Sequence, residues 1–228
     1  MRTVLVVDDE PHIRDVLRGY LEADGHRVLE AATGEDALEV LAADDVDVVL
    51  LDVMLPGIDG LETLRRVRTT SDVFVILVTA RAEEVDTLVG LAVGADDYVT
   101  KPFSPREVAA RVGAVLRRDR GPAPDDEVLK HGGFVLDRAR HEVTVDGTPV
   151  ELSSLEFDLL AVLAAAPGRV FSRGQLLRQV WGQDWYGDER VVDVHIRSIR
   201  SRLGDDAADP RFVATVRGVG YKFVGRSR

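Results

Sequence analysis

Five short apolar segments alternate with helical patterns through the first half of the sequence, and this alternation limits the folds that the chain can adopt. Each segment is long enough for one strand and is rich in valine, leucine or isoleucine, as buried strands are. The stretches between them place apolar residues at helical spacing and include the helix-starting residues Pro11 and Thr33. Strands that alternate with helices predict an α/β domain with a doubly wound, five-stranded parallel sheet. The predicted strands are residues 3–7, 27–31, 46–51, 73–78 and 97–100.

Polar residues follow four of these strands at the point where each strand ends. Asp8 and Asp9 follow the first strand, and Asp52 follows the third. Thr79 follows the fourth strand, and Lys101 follows the fifth. Because the carboxyl ends of parallel strands meet at one edge of the sheet, where ligands bind in such folds, we expect these side chains to converge. Three carboxylates, a hydroxyl and an amine are the groups needed to transfer a phosphoryl group to Asp52 with a divalent cation.

The acidic residues of this set predict a Mg²⁺ site, because magnesium prefers hard oxygen ligands and retains several waters. We expect Asp9 and Asp52 to bind the ion directly and Asp8 to act through a water. The backbone carbonyl of Met54 would complete the ligand set. Asp52 would then be the nucleophile that forms an aspartyl phosphate.

Lys101 and Thr79 would hold the oxygens of the phosphoryl group, one as a positive charge and the other as a hydrogen-bond donor. Each residue also has an ordinary structural interpretation. A single aspartate at a strand end usually caps a helix or forms a turn, Thr79 is a residue type common in strands, and Lys101 could simply be solvated. The occurrence of the whole set at matching strand ends argues against coincidence.

The second half of the sequence has a different pattern and predicts a second domain. Residues 119–127 are polar and contain two prolines and a glycine, which is typical of a linker between domains. We therefore expect one domain over residues 1–118 and another over residues 128–228. The predicted elements of the second domain are antiparallel strands within 134–152, helices from Ser153 or Ser154, over 175–181 and over 189–203, and a hairpin of 213–216 and 221–224.

The charge is distributed unevenly between the two halves. The net charge is −11, but residues 1–120 carry 14 basic and 24 acidic residues, whereas residues 121–228 carry 15 and 16. Residues 211–228 contain five basic residues and no acid. This clustered positive charge is what a nucleic-acid contact requires, even in an acidic protein.

The composition excludes several other classes of protein. The sequence contains no cysteine, which excludes disulfides, thiolate metal sites and cysteine catalysis. It has no apolar run of membrane-spanning length, and its N-terminus leads directly into a strand. We therefore expect a cytoplasmic protein.

The helix predicted over residues 189–203 has the spacing of a helix that enters the major groove of DNA. Arg197 and Arg200 are the residues that we expect to reach DNA most directly. At the tip of the hairpin, Arg217 could enter the minor groove, and Thr215 could contact a phosphate. The alternative is a solvated helix face followed by an ordinary basic C-terminus. The complete set of expected DNA-binding residues is Arg190, His195, Arg197, Ser198, Arg200, Arg202, Thr215 and Arg217, with Val194 and Ser201 near the same face and His195 expected either to touch phosphate or to pack.

Several motifs resemble those of a known family. DDEPHIRDVL, LLDVMLPGIDG, VTAR and DDYVTKPF are similar to the flavodoxin-like receiver domain of bacterial two-component response regulators. LSSLEFDLLAVL, PGRVFSR, VVDVHIRSIRSRL and VRGVGYKF resemble the winged helix-turn-helix effector domain of the OmpR/PhoB subfamily, an α+β domain. The resemblance spans nearly the whole chain, with the two domains in the order that the subfamily uses.

This resemblance implies roles for individual residues. It identifies Asp52 as the phosphoryl acceptor, Asp8 and Asp9 as the acid pair, and Lys101 as the lysine that senses the phosphoryl group. Thr79 and Tyr98 would be switch residues. Ser198 stands where the subfamily often has arginine, so the base preference of relatives does not transfer. The resemblance also implies a dimer face that includes Asp96, Asp97, Glu107, Arg111 and Arg118, with Asp97–Arg111 and Asp96–Arg118 as pairs.

The sequence therefore predicts a transcriptional regulator of a two-component system that catalyses only its own phosphorylation and dephosphorylation. A histidine kinase would phosphorylate Asp52 with Mg²⁺, the chain would dimerise through the 83–118 face, and the dimer would bind tandem half-sites in promoter DNA, with RNA polymerase as a further partner. One alternative is an aspartyl-phosphate phosphotransferase or phosphatase with a small-molecule substrate. Another is a constitutive DNA binder whose receiver does not signal.

Overall fold

A computed structural model describes residues 1–80, 94–117, 128–182 and 189–225. The chain divides into two compact units, Met1–Asp119 and Arg120–Arg228. The described residues do not include Arg118, the expected linker at 119–127, or residues 83–92, where the alternation of strands and helices predicts a further helix. No helix among the described residues is both long enough and apolar enough to cross a membrane.

The first unit contains the predicted five-stranded parallel sheet, with the strand order β2-β1-β3-β4-β5. Neighbouring strands that are not consecutive in sequence require crossover connections, and the helices supply them. The strands are β1 (Thr3–Val7), β2 (Arg27–Ala31), β3 (Val48–Asp52), β4 (Phe74–Ala80) and β5 (Asp97–Lys101). The described helices are α1 (Pro11–Ala23), α2 (Gly34–Ala43), α3 (Gly60–Arg68) and α4 (Pro105–Arg117).

Local sequence explains where these helices begin. Pro11 occupies the first turn of α1, where its missing N–H costs nothing. Thr33 caps α2 by accepting a hydrogen bond from the amide of Asp36, as its sequence position predicted. Asp59 caps α3 in the same way through the amide of Glu62.

The centre of the sheet is buried, and this brings the strand ends together. All five residues of β3 are buried, and Val48 and Leu50 form a core with α1 and α4. In the register of the sheet, Val7 pairs with Leu51, and Asp52 pairs with Val78. β3 ends at Asp52, one residue beyond the predicted end of the strand, so the carboxylate belongs to the buried sheet and does not lie in the following loop.

The second unit has two antiparallel sheets and three described helices. Four strands form one sheet in the order β6-β7-β8-β9, and the hairpin strands β11 and β12 join the short strand β10 in the other. β6 was not predicted, because its four residues show no long apolar run and acquire a partner only through pairing with β7. The strands are β6 (Val128–His131), β7 (Phe134–Asp137), β8 (Glu142–Val145), β9 (Thr148–Val150), β10 (Phe171–Ser172), β11 (Val213–Val216) and β12 (Gly220–Phe223).

The helices of the second unit are α5 (Ser154–Ala164), α6 (Arg173–Val180) and α7 (Arg190–Leu203). Ser153 and Ser172 begin α5 and α6 with reciprocal capping boxes. Gly204 ends α7 in the left-handed conformation, with φ of 62°, which a glycine adopts without steric cost. The core of this unit includes the aromatic residues Phe134, Trp181, Phe212 and Phe223.

Candidate functional site

Three carboxylates meet at the carboxyl edge of the parallel sheet. Asp8 and Asp9 follow β1, and Asp52 is the last residue of the neighbouring strand β3. One oxygen from each carboxylate can be chosen so that all three lie within 4.8 Å of one another. Asp8 and Asp52 are each only 2% exposed, whereas Asp9 is exposed. The predicted convergence of these acids is therefore present in the fold.

Lys101 lies at the end of β5 and brings its ammonium group into this cluster. Its Nζ donates to Asp52 Oδ2 at 2.6 Å and to Asp8 Oδ2 at 2.9 Å. Burial lowers the pKa of Lys101, but its hydrogen bonds to Asp52 and Asp8 outweigh this effect, so the pKa lies above its ordinary value. The amine is therefore a fixed positive charge at neutral pH, placed against the oxygens of Asp52.

The carboxylate of Asp52 is oriented by contacts on both of its oxygens. Oδ1 accepts a hydrogen bond from the backbone amide of Met54 at 3.0 Å, and Oδ2 faces Lys101. Burial raises the pKa of Asp52 above its ordinary value, against the opposing hydrogen bonds from Lys101 and Met54. The side chain of Met54 is 68% exposed, so its backbone contacts the site while its thioether faces away from the core.

The donor set fits a hard divalent cation. Carboxylate oxygens are the ligands that magnesium prefers, and two of these three carboxylates are withdrawn from water. Buried like charges at this distance repel one another unless a cation screens them, and Lys101 supplies only one positive charge. The cluster Asp8, Asp9 and Asp52 is therefore chemically suited to Mg²⁺.

Thr79 and Tyr98 lie on the neighbouring strands β4 and β5. Thr79 is buried on β4 and pairs in register with Thr100 of β5. Tyr98 lies on β5 and is half-buried. The role of both residues as switch residues stays a prediction.

Two residues that support the site were not identified from the sequence. Arg14 on α1 donates to the backbone oxygen of Asp8 at 2.6 Å and pairs with Glu30 on β2. Gly60 starts α3 directly against β3, where a Cβ atom would overlap the backbone oxygen of Asp52. A basic residue one turn into the helix after the acid pair was the available signal for Arg14, and the glycine that follows Asp59 was the signal for Gly60.

Three of the expected dimer-face residues, Asp97, Glu107 and Arg111, are joined by contacts within the chain. Asp97 is 1% exposed and accepts a hydrogen bond from Arg111 at 2.9 Å, so this pair forms within one chain. Glu107 is exposed and reaches the same guanidinium at 2.9 Å. Burial opposes the positive charge of Arg111, but Asp97 and Glu107 outweigh it and raise the pKa of the guanidinium.

Asp96 does not lie on an exposed face, and the prediction is corrected for this residue. Its carboxylate is buried, binds Arg68 at 2.8 Å and accepts a hydrogen bond from the amide of Val75 at 2.8 Å. Burying a carboxylate requires such partners, and α3 and the start of β4 supply them within the same chain. The expected partner of Asp96, Arg118, lies outside the described residues.

In the second unit, α7 presents only some of its polar residues to solvent. Arg190 and Arg197 are exposed, and Ser198 is half-buried. Val194 was expected near the DNA face but is buried, because the buried face of this helix also includes Val191 and His195.

Three residues of α7 that were expected to bind DNA contact other parts of the second unit. His195 is 1% exposed and packs with its ring 5.9 Å from that of Trp181, which agrees with the packing alternative given for it. Arg200 is half-buried and donates to the backbone oxygen of Val213 and to Thr215, and its contact with DNA stays a prediction. Arg202 likewise faces the start of α5, where it meets Glu156 at 3.2 Å and the backbone oxygen of Glu151 at 3.1 Å.

The hairpin of β11 and β12 keeps its basic tip exposed. Arg217 and Thr215 are both exposed, and Gly218 follows Arg217 with φ of 75°. A glycine in this conformation makes a tight turn and leaves the backbone uncovered, so the tip can approach another molecule closely. The geometry agrees with the predicted placement of Arg217 and Thr215, and their contacts with DNA stay a prediction.

Both units match families of known regulators. Residues 4–113 match the response regulator receiver domain, and residues 147–223 match the family described as transcriptional regulatory protein, C terminal. The sensory transduction protein RegX3 of Mycolicibacterium smegmatis is 46% identical over 228 residues, which cover 99% of this chain and 100% of that protein. The phosphate regulon transcriptional regulatory protein PhoB of Pseudomonas aeruginosa is 46% identical over 229 residues, which cover 99% of each chain.

A solved structure has the same order of domains. The Thermotoga maritima response regulator DrrB, described as an OmpR/PhoB homolog, is 36% identical and has a TM-score of 0.54 over 99% of this chain and 100% of its own. PhoB is described as a transcriptional regulatory protein, and this favours a transcription regulator over a small-molecule phosphotransferase. The chain belongs to the OmpR/PhoB subfamily of two-component response regulators and combines a receiver domain with a DNA-binding effector domain.

Proposed function

We propose that Asp52 is the phosphoryl acceptor of this regulator and that Mg²⁺ is its cofactor. The observation that carries the proposal is the position of the Asp52 carboxylate, which is 2.6 Å from the ammonium of Lys101 and clustered with the carboxylates of Asp8 and Asp9. A single buried aspartate in contact with a lysine would be an ion pair. The added acid pair makes the cluster a place where a cation and a phosphoryl group can be held together.

The chemistry divides among the residues at this edge. An oxygen of Asp52 forms a bond to phosphorus while the bond from phosphorus to the donor, a phosphohistidine nitrogen or the acyl oxygen of acetyl phosphate, breaks. Lys101 holds a phosphoryl oxygen as a positive charge, and the hydroxyl of Thr79 donates to another. Asp8, Asp9, Asp52 and the backbone carbonyl of Met54 would hold Mg²⁺, which would supply positive charge against the negative charge of the phosphoryl group.

The consequence of phosphorylation is binding to promoter DNA by a dimer. The phosphoryl group adds about −1.5 to −2 charge at the sheet edge and biases Thr79 and Tyr98 towards another arrangement. The 83–118 face then pairs two chains, and the two effector domains occupy tandem half-sites through Arg190, Arg197, Ser198, Thr215 and Arg217. A sensor histidine kinase is the donor, and RNA polymerase is the partner at the promoter.

Footprinting on genomic DNA with and without acetyl phosphate tests this proposal. Protected sites should appear at lower protein concentration after phosphorylation and should contain two half-sites in the same orientation. Asp52→Asn should abolish the effect of acetyl phosphate. Equal protection in both conditions would support a constitutive DNA binder instead.

The Mg²⁺ affinity is expected to fall on acidification at a higher pH than that of an ordinary aspartate site. Burial raises the pKa of Asp52. Because a proton on Asp52 competes with the cation, affinity is complete above this pKa and is lost as the pH falls through it. Calorimetric titration with Mg²⁺ from neutral to acidic pH measures the effect. Asp52→Asn should lose this part of the pH dependence, and its persistence in that variant would contradict the assignment.

Arg217→Ala should weaken binding to selected and random DNA to a similar degree. The residue lies at an exposed hairpin tip next to Gly218, so its guanidinium can reach the electronegative minor groove. Loss of one contact of this kind should lower the slope of log affinity against log salt by about one unit. Arg140→Ala removes an exposed arginine from the turn between β7 and β8 and serves as the control. A slope that is unchanged in Arg217→Ala would exclude the contact.

A further inference from the structure

Tyr221 lies at the centre of a group of side chains that joins three elements of the effector unit. It belongs to β12 and pairs in register with Phe171 of β10 and Thr215 of β11. Its ring is buried, and two guanidinium groups lie near it, that of Arg173 at 5.3 Å and that of Arg200 at 5.8 Å from the ring centroid. These distances are within the range of cation–π attraction.

Asp193 on α7 holds this group together through a single oxygen. Its Oδ1 accepts a hydrogen bond from the hydroxyl of Tyr221 at 2.6 Å and another from Nε of Arg173 at 2.7 Å. Arg173 is the first residue of α6, so one carboxylate connects α6, α7 and β12. Burial and the contact with Asp193 raise the pKa of Tyr221 to about 12, so its hydroxyl remains a donor throughout the neutral range.

Arg200 adds a second connection between α7 and the hairpin. Its Nε and Nη2 donate to the backbone oxygen of Val213 at 3.0 Å and 2.7 Å, and Nη2 also donates to Thr215 at 2.8 Å. Asp193 and Arg200 are seven residues apart, which is about two helical turns, so both lie on the side of α7 that faces the hairpin. α7 is thus attached to β12 through Asp193 and to β11 through Arg200.

We propose that Asp193 is a positioning residue for DNA recognition. We call Arg173, Asp193, Arg200 and Tyr221 the Tyr221 bracket. The bracket fixes α7 relative to the hairpin, so that Arg197 on the helix and Arg217 at the tip engage the DNA together. The inference rests on the proposed DNA-binding function and assigns the bracket residues an indirect role within it.

The two possible roles of Asp193, a positioning residue or a solvated acid, predict changes of opposite sign in DNA affinity. The side chain of Asp193 is 40% exposed in a domain that must approach phosphates, so its charge by itself opposes DNA binding. If the carboxylate were only a solvated acid, Asp193→Asn would tighten binding to any DNA. If it positions α7 and the hairpin, the same change weakens binding to the selected site, where both elements must fit at once.

The test uses the full-length protein and a DNA fragment that the wild type selects from a random pool. Affinities are measured for this fragment and for a scrambled fragment, using wild type, Asp193→Asn, Tyr221→Phe and Glu151→Gln. Asp193→Asn and Tyr221→Phe should each weaken binding to the selected fragment by about tenfold, the cost of a hydrogen bond to a charged group. Binding to the scrambled fragment should change by less than about twofold, because phosphate contacts dominate there.

Glu151→Gln is the matched control, since it removes an exposed acid of the same unit outside the bracket. It should leave the ratio of the two affinities unchanged. The slope of log affinity against log salt should also be unchanged in Asp193→Asn and Tyr221→Phe, because neither residue contacts phosphate in this proposal. The double variant should lose less than the sum of the two single losses, because both changes act on the same hydrogen bond: phenylalanine removes the donor, and asparagine leaves only a neutral acceptor.

Several outcomes would overturn the proposal. Tighter binding of Asp193→Asn to both fragments would identify Asp193 as a solvated acid. If Tyr221→Phe left the ratio of the two affinities unchanged, the Tyr221 bracket would have no part in DNA recognition. Thermal unfolding establishes that each variant is folded, and if Asp193→Asn is not, the ratio measured for Tyr221→Phe decides the question. A wild type that selects no sequence would contradict the proposed function itself, which distinguishes that failure from failure of the bracket alone.

Discussion

Asp52→Asn is expected to reduce phosphoryl labelling by acetyl phosphate and Mg²⁺ by at least about 100-fold, since the variant lacks the nucleophile. Asparagine preserves the size of the side chain and can still contact Lys101 and the amide of Met54. The neutral amide cannot attack phosphorus as a carboxylate does. Intact-protein mass spectrometry should show a single added phosphoryl group on wild type and none on the variant.

Asp36→Asn is the control, because Asp36 is an exposed acid in the first turn of α2, outside the cluster. It should be labelled like wild type. Labelling of Asp52→Asn at the wild-type level, or a label that maps to another residue of wild type, would refute the assignment of Asp52. Removal of Mg²⁺ with a chelator should suppress labelling of wild type, as expected if the acid cluster needs a cation to admit a negatively charged group.

The second large effect concerns stability, and Asp97→Ala is expected to lower the free energy of unfolding of the receiver unit by about 3–5 kcal/mol. Asp97 is 1% exposed, and its carboxylate pairs with Arg111, which is itself buried. Removing the acid takes the buried partner away from a buried guanidinium, which also contacts the exposed Glu107. An uncompensated buried charge is among the most costly defects in a protein interior.

Glu107→Ala removes the exposed partner of the same arginine and should cost at most about 1 kcal/mol. Urea unfolding followed by far-ultraviolet circular dichroism measures both variants. The two tryptophans, Trp181 and Trp185, both belong to the second unit, so tryptophan fluorescence reports that unit separately and should be unchanged. Equal losses of unfolding free energy in Asp97→Ala and Glu107→Ala would show that burial of the Asp97–Arg111 pair does not contribute to stability.

The sequence was sufficient to predict the sheet and the place where its polar residues meet. Short runs of valine, leucine and isoleucine, alternating with helical patterns, identify buried parallel strands. A parallel sheet then places the carboxyl ends of all its strands on one edge. Asp8, Asp52 and Lys101 therefore had to converge once their strands were assigned. Local capping was equally predictable, because Thr33 and Ser153 act on amides only three residues away.

Contacts between distant elements were determined only in the tertiary structure. Asp96 was expected at an interface, but α3 supplies Arg68 to its buried carboxylate. Arg200 was expected on DNA, and the hairpin also presents the oxygen of Val213 within its reach. A charged side chain is described in the sequence only by its type and its position along a helix. The partner that it finds depends on which other chain segment packs against that helix, and the need to satisfy each buried charge makes that packing decisive.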